Sequence, residues 1–549
     1  MKKNLLKILN KVWHCALLII MGSIAFFPFL GSVHLFDWDE INFAEAAREM
    51  LVTGNYSDVQ INFEPFYEKP PLFFWLQALS MKIWGVTEFA ARFPNALFGM
   101  ITLLTIYLVG KNYKNSRFGL LWALMHVSAL LAHFYFKTGL IDPVFNYFIF
   151  LGFYCLTRLI HSTSVHARWW ALLGGSSLGL AVLTKGPVGI LLPALALLIY
   201  WLRVGCKPII HWQILVLFGL MSVLIPCCWF GYQTYKDGGA FIRAFIQYHL
   251  ELFNQPVEGH AQPFYYHFVV IFFGCFPASI LALGTFGRSK FEEPLQLFPM
   301  MQLLFWVVMI VFSLATTKIV NYSSLAYFSV SFLAAHYLYR IDQKLAIPSR
   351  AIHLGLVAVG IFIAVFLIVL SILALNKERL YSFISDEFTL ANIALPVPWT
   401  YLDCLPGLSY FLLSIVAYYF FQRRAIIQFV TWSSIATTVC LMLGVKLIVP
   451  KIEAHIQKPV IEFYKSLEGK PVYVITIGFK SYAPLFYFRQ PKEHAVATKD
   501  IQWLLTGELD KPAYYVLKVN DKAKISVYPD ITLSRVEGGF IFCRRGRGY

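Results

Sequence analysis

From about Val12 to Val449 the chain consists of recurring apolar runs long enough to cross a hydrocarbon layer, separated mostly by short polar loops. Without water, a segment of this kind satisfies its backbone as an α-helix, so a repeated series predicts a helical bundle. Composition excludes the alternative of several soluble domains. Of 549 residues, 58% are apolar and only 14% are charged. The predicted crossings are 12–30, 95–111, 117–136, 143–160, 169–184, 187–202, 212–232, 264–285, 295–315, 323–340, 351–375, 401–421 and 427–448, about thirteen in all.

The formal net charge of +16 does not point to nucleic acid, because the cations sit in loops between apolar runs. Lys111, Lys114 and Arg117 form one such loop, Arg158 and Arg168 a second, and Arg203 and Lys207 a third. Arg288 with Lys290, Arg340 with Lys344 and Arg350, and Arg423 with Arg424 continue the series. The positive-inside rule assigns all of them, and the Lys-rich N-terminus, to the cytoplasm. The first apolar run lacks a cleavage signature and is read as an uncleaved crossing. An odd number of crossings places the region after Val449 outside. Most of the nine Cys lie within apolar runs and no CxxC occurs, so they are expected as small buried hydrophobes.

Two regions break the pattern. In 31–94, Ile41, Phe43, Ala44, Ala47, Met50 and Leu51 recur at helical spacing against Glu45, Arg48 and Glu49, which predicts an amphipathic helix on the membrane surface. Pro70–Gly85 is apolar but short and is expected at the interface, and a short helix Glu88–Arg92 is expected to end before Pro94. Residues 450–549 are more charged, with β-rich runs at Val472–Ile477, Leu485–Phe488, Tyr514–Val519, Ile525–Tyr528 and Phe540–Cys543, so a small α/β domain is expected outside. The fold class is thus mainly α: a polytopic helical domain, 1–449, with surface helices in its first outer loop, followed by that domain at 450–549.

This topology collects scarce charges on the outer side: Asp37, Asp39, Glu40, Glu68, Lys69, Arg92, Asp142, Lys185, His249, Glu251, His260 and Lys318, with Tyr322 beside them. A single Lys at a helix end commonly reaches for headgroup water. So many charges on one side, against the inside bias, point to a site. Carboxylates serve as bases or orient a nucleophile, and ammonium groups hold a phosphate. Glu68, His249 and His260 are the candidates for a divalent ion, but no fixed ligand spacing supports one, and an ordinary polar-loop role is preferred. Asp37-x-Asp39 matches the metal-holding DxD of nucleotide-sugar enzymes only by a short motif, and those donors are cytoplasmic.

The residues are similar to those of the class C glycosyltransferases that use polyprenyl-phosphate sugars. The carrying runs are Asp39-Glu40 with Ala44-Glu45 and Arg48-Glu49-Met50-Leu51; Tyr67-Glu68-Lys69-Pro70; Asp142-Pro143; Thr184-Lys185-Gly186; Tyr248-His249 through His260-x-x-Pro263-Phe264-Tyr265-Tyr266; and Lys318 with Tyr322. They follow the family order over roughly 1–340. The chain resembles most the 4-amino-4-deoxy-L-arabinose lipid A transferases, and more distantly protein O-mannosyltransferases. The resemblance implies thirteen crossings, a periplasmic cavity in a bacterial inner-membrane protein, and a sugar donor on undecaprenyl phosphate. It implies Asp39 as the essential acid, with Lys69 and Asp142 also catalytic. Glu40, Glu68, Arg92, Lys185, His249, His260, Lys318 and Tyr322 would bind substrate. Lipid A or another envelope molecule would be the acceptor, with no required cofactor. The chain departs from the family at Asn42-Phe43, where Arg-Tyr is usual, and at Asn321, where His or Thr is common.

Two other readings compete. A protein hydroxyl could be the acceptor, as in O-mannosyltransferases. A transporter of lipid-linked glycans would instead hold its charges near the bilayer midplane on broken helices.

Overall fold

The computed structural model describes residues 2–160, 162, 165–254, 262–286 and 297–546, with backbone alone at 2–12 and 252–254. His260, Arg288 and Lys290 lie outside the described residues. The molecule is a helical bundle capped at one end by a four-stranded sheet.

Helix α1 (Lys2–Phe26) is followed by α2 (Asp39–Thr53), a two-residue hairpin of β1 (Gln60–Ile61) and β2 (Glu64–Pro65), and α3 (Leu72–Trp84). Next come α4 (Glu88–Tyr113), α5 (Ser116–Ser128), α6 (Leu130–Tyr135), α7 (Asp142–Leu159), α8 (Ala167–Lys185), α9 (Val188–Arg203), α10 (Trp212–Asp237) and α11 (Ala240–Asn254). The expected short helix at Glu88–Arg92 is instead the first turn of α4, which runs unbroken through Pro94. Its start is set by Thr87, whose hydroxyl accepts from Ala90 N–H at 3.2 Å.

The second half contains α12 (Tyr266–Gly274), α13 (Ala278–Leu283), α14 (Leu297–Leu314), α15 (Ala326–Asp342), α16 (Arg350–Leu375), α17 (Glu387–Ala394), α18 (Leu405–Gln422) and α19 (Ile426–Leu443). Among the described residues, six helical segments have the length and apolarity to cross a membrane: Glu88–Tyr113, Trp212–Asp237, Leu297–Leu314, Arg350–Leu375, Tyr401–Gln422 and Ile426–Ile456. The chain is a multi-pass membrane protein. Two expected crossings are broken. Run 117–136 divides at Ala129 into α5 and α6, and run 264–285 divides between α12 and α13. The break after α5 is tolerated because α19 supplies hydroxyls: Ser434 donates to Leu124 O at 2.8 Å and Thr437 to Ser128 O at 2.7 Å. The close approach of α8 to α10 requires a glycine, since a Cβ at Gly175 would stand 2.4 Å from Phe218 O.

The first outer loop corrects one expectation. Helix α2 does not lie with a polar face to solvent: Glu40 through Met50 are all buried. Ile41, Ala44 and Ala47 face the sheet end of the molecule, with Ile461, Tyr464 and Phe486, while Phe43, Ala46 and Met50 pack with Phe73, Phe74 and Val144. Part of its buried charge is offset by pairing, as in Arg48 to Glu45 at 2.6 Å, whereas burial and the neighbouring Glu45 push the pKa of the Glu49 carboxyl up to about 9. Helix α3 keeps an exposed apolar edge at Leu79, Ile83 and Trp84, suited to lipid.

Beyond α20 (Val449–Ile456) and α21 (Lys458–Ser466) stand β3 (Tyr473–Ile477), α22 (Ala483–Tyr487), β4 (Ala513–Lys518), β5 (Ile531–Glu537) and β6 (Phe540–Arg545). The sheet order is β3-β4-β6-β5, with β3 parallel to β4 and the other pairs antiparallel. Val474, Val516 and Phe542 point toward α21 and α2, whereas Ile475, Tyr515 and Ile541 point to a second small core. Leu485–Phe488 is not a strand. Pro484 opens a helical turn there. Ile525–Tyr528 is a turn, and the strand begins after Pro529, at Ile531.

Candidate active site

A cavity of about 250 Å³ opens where α2, α7, α8, α9, α11 and α14 converge. Its lining is partly apolar, with Val188, Leu191, Leu192, Val311, Phe312 and Ile319. The same lining carries Asp39, Glu68, Lys69, Asp142 and Lys185, with Tyr248, His249, Asn321 and Tyr322. Five charges read from four separate stretches of sequence therefore meet at one place.

Lys185 is the last residue of α8. Gly186 then turns the chain with φ +119°, and a Cβ there would lie 2.8 Å from Phe245 Cζ. This break aims the Lys185 ammonium across to α7. Nζ donates to Asp142 Oδ1 at 2.6 Å and sits 5.2 Å from the centroid of the Tyr322 ring. Asn321 Nδ2 donates to the other Asp142 oxygen at 2.8 Å. Lys69 is buried, with Nζ 3.8 Å from Glu68 and 4.6 Å from the centroid of the Tyr248 ring. Burial holds its pKa below the usual lysine value, and Lys185 pushes the same way; Glu68, Asp39 and Asp142 oppose them.

Asp39 is exposed to the cavity. It occupies the first turn of α2, and no side-chain cap bond forms at that helix start. Among the described residues none donates a hydrogen bond to its carboxyl. Desolvation in the recess raises its pKa, partly offset by Lys185 and Lys69. The residue before it, Trp38, has φ 76° and ψ −108°. That sparsely populated conformation costs ~1–3 kcal/mol for a residue with a side chain. His249 Nδ1 is 2.8 Å from Phe245 O, which assigns its proton to Nδ1, and burial lowers its pKa.

Three expected substrate contacts stand elsewhere. Glu40 and Arg92 form a buried pair behind the wall, at 2.7 and 3.0 Å, and Arg92 also donates to Leu30, Val33 and His34 carbonyls. Glu40 completes its shell with Phe36 and Gly139 N–H groups. The two residues shape the loop that carries Asp39 and do not face the cavity. Lys318 folds onto Ala315 O at 2.7 Å, at the end of α14. Glu68 and His249 share the cavity. Among the described residues no group of three or more His, Cys, Asp or Glu stands together as metal ligands. The polar lining residues that were not among the expected site residues are Asn42, Asn146, Tyr248 and Asn321. Tyr248 adjoins His249, and Asn42 and Asn321 are the departures from the family pattern. Both departures line the cavity.

Comparison with known proteins bears out the resemblance to class C glycosyltransferases. Residues 68–229, which include Lys69, Asp142 and Lys185, match the family model described as dolichyl-phosphate-mannose-protein mannosyltransferase. The undecaprenyl phosphate-alpha-4-amino-4-deoxy-L-arabinose arabinosyl transferase 2 of Proteus mirabilis is 25% identical over 371 residues, covering 65% of this chain and 64% of that protein. The arabinosyl transferase of Pseudomonas aeruginosa strain LESB58 is 26% identical over 357 residues, covering 62% and 63%. The matches thus span less than two thirds of those transferases. A protein of unassigned function from Aquifex aeolicus is 29% identical over 350 residues, covering 63% of this chain and 78% of its own. ArnT from Cupriavidus metallidurans, solved with undecaprenyl phosphate bound, superposes with a TM-score of 0.76 at 16% identity, covering 97% and 99% of the two chains. The chain therefore has the ArnT fold, and the resemblance seen in its sequence extends across the structure.

Proposed function

We propose that the chain transfers a sugar from undecaprenyl phosphate to an envelope acceptor, with lipid A as the acceptor and aminoarabinose the first donor to test. The observation that carries this reading is a cavity lined by both apolar side chains and charged groups. The apolar lining suits a prenyl chain, and the two ammonium groups suit the phosphate at the end of that chain. Polyprenyl phosphate is a good leaving group and asks for cationic stabilisation, not for a general acid. Lys69 and Lys185 supply it as charge builds on the phosphate oxygens. Asp142 pins Lys185. With a hydroxyl acceptor Asp39 takes the proton. With a phosphate acceptor, already anionic, Asp39 orients it. The course is one displacement with inversion, and it draws on no cofactor.

The basic loops and the odd number of crossings expected from the sequence support a periplasmic position for the cavity and for residues 450–549 in an inner-membrane protein, on the side where a lipid-linked donor and lipid A both present their headgroups. The transporter reading is disfavoured because the charges cluster at one end of the bundle, on α2 and at the ends of α7 and α8. The test is mass spectrometry of lipid A and envelope glycans from cells with and without the chain, paired with transfer by the purified protein. A sugar mass present only with the chain supports the proposal. Identical lipid A and glycans, with no transfer in vitro, refute it.

A further inference from the structure

We propose that Asp37 is a positioning residue through which the C-terminal sheet domain sets the direction of Asp39. The inference rests on the transferase reading for its kinetic arm only. Asp37 is not on the cavity wall. Its Oδ1 accepts from its neighbour Trp38 N–H at 2.8 Å and from Tyr482 N–H at 3.1 Å, and Ser481 Oγ donates to Oδ2. Its own N–H donates to Gln457 Oε1 at 3.1 Å, and Gln457 Nε2 returns to Leu35 O at 2.9 Å. Tyr487 OH accepts from Leu35 N–H at 2.7 Å, and His34 stands 2.7 Å from Glu453. Every residue from His34 to Asp37 except Phe36 is thus tied to a segment more than 400 positions away.

The tie matters because Trp38 and Asp39 come directly after it in the chain. Trp38 holds a conformation that side chains rarely adopt, and such a turn persists only where its surroundings over-determine it. The Asp39 carboxyl has no hydrogen-bonding partner among the described residues, so its direction into the cavity follows from the backbone at 37–38 and the first turn of α2. Asp37 joins the two: one carboxylate binds the Trp38 amide and the Ser481-Tyr482 corner together. The domain also reaches the far end of the same loop, where Gln490 donates to Asn62 at 2.9 Å and Lys499 pairs with Glu64, a few residues before Glu68 and Lys69. On this reading the sheet domain is a jig for the catalytic loop.

The test uses the full chain in detergent or nanodiscs. Ser481→Ala removes one donor without touching the bundle, Ser481→Thr restores it, and Asp37→Asn weakens the acceptor. Carbodiimide labelling, read by peptide mass spectrometry, reports Asp39 directly and needs no activity; Asp142 is the control. The expected result is a change of roughly threefold or more in Asp39 labelling in Ser481→Ala and Asp37→Asn, recovery in Ser481→Thr, and constant Asp142 labelling. Where the wild type transfers sugar, kcat should fall roughly tenfold with donor KM unchanged. In an Asp39→Asn background, Asp37→Asn should then cost nothing further. Unchanged Asp39 labelling, or a full additional loss in the Asp39→Asn background, overturns the proposal. A wild type that labels as expected but transfers nothing counts against the transferase reading alone.

Discussion

Lys185 Nζ lies 2.6 Å from Asp142 Oδ1, and Asn321 occupies the second oxygen of the same carboxylate at 2.8 Å. With both oxygens engaged and the residue buried, Asp142 is poorly placed to take a proton from an acceptor. Its geometry suits a different task, which is to hold an ammonium at the edge of a phosphate site.

Asp142→Asn tests that role. The substitution keeps the shape and removes the charge that orients Lys185. A hydrogen bond to a charged group is worth ~1.5–3 kcal/mol. The expected fall in kcat/KM is therefore roughly 10- to 100-fold, seen in steady-state transfer with purified lipid donor. Wild-type kinetics in the variant would detach the pair from the reaction.

Lys69 is more enclosed than its position in a polar loop suggests. It is buried against Tyr248, with Glu68 at 3.8 Å as its nearest carboxylate. Its desolvated ammonium is lightly compensated, so Lys69→Ala should leave the protein folded. A contact that strengthens as the phosphate leaves is worth ~2.7–4 kcal/mol of barrier. Turnover should drop by roughly two to three orders of magnitude, with the melting temperature within a few degrees of wild type. Near-normal turnover would remove Lys69 from the mechanism.

Glu40 and Arg92 behave differently because neither faces the cavity. Arg92 gives five hydrogen bonds, two to Glu40 and three to backbone carbonyls. Removing one partner of a buried ion pair costs ~3–5 kcal/mol. Arg92→Ala should therefore lower yield and thermal stability severely. A stable Arg92→Ala protein with only a raised substrate KM would return Arg92 to the substrate.

These contrasts mark what the sequence could reveal. Asp39, Glu68, Lys69, Asp142, Lys185, His249 and Tyr322 were legible because charge is scarce in an apolar chain and the topology gathers it at one face. Direction was not legible. Glu40 adjoins Asp39, yet helical geometry turns it the other way, toward Arg92. The burial of α2 was hidden because its second neighbour is a domain more than 400 residues later, and no local period encodes that contact. The breaks at Ala129 and around Cys275–Pro277 were missed because a hydropathy window averages over them. The C-terminal strands at Tyr473–Ile477 and Phe540–Arg545 were found by their β-rich runs. Ile531–Glu537 was missed because it is a mostly exposed edge with little apolar signal.

Asp39 gives the sharpest separation of roles. Its pKa is raised from the usual 3.8, chiefly by desolvation, and that of Lys69 is lowered from the usual 10.5 for the same reason. Asp39 must be ionised to act, so transfer should fall as pH drops through its raised pKa, at higher pH than an ordinary aspartate would give. Lys69 must be protonated, so the alkaline limb should lie below the ordinary lysine value, and the bell is narrowed from both sides. Stability runs the opposite way. A carboxyl whose folded pKa is raised contributes stability below its unfolded pKa and loses that contribution as pH rises through the folded value. At neutral pH the ionised Asp39 therefore works against folding. Asp39→Asn should keep or raise the melting temperature at pH 7, and the difference from wild type should shrink toward acid pH. Transfer in the same variant should fall by roughly two orders of magnitude or more. The two measurements are made on one preparation, by thermal denaturation and by transfer across a pH series. A destabilised Asp39→Asn protein would make Asp39 structural, and an acid limb at the ordinary aspartate value would show that its carboxyl is not the group that must ionise.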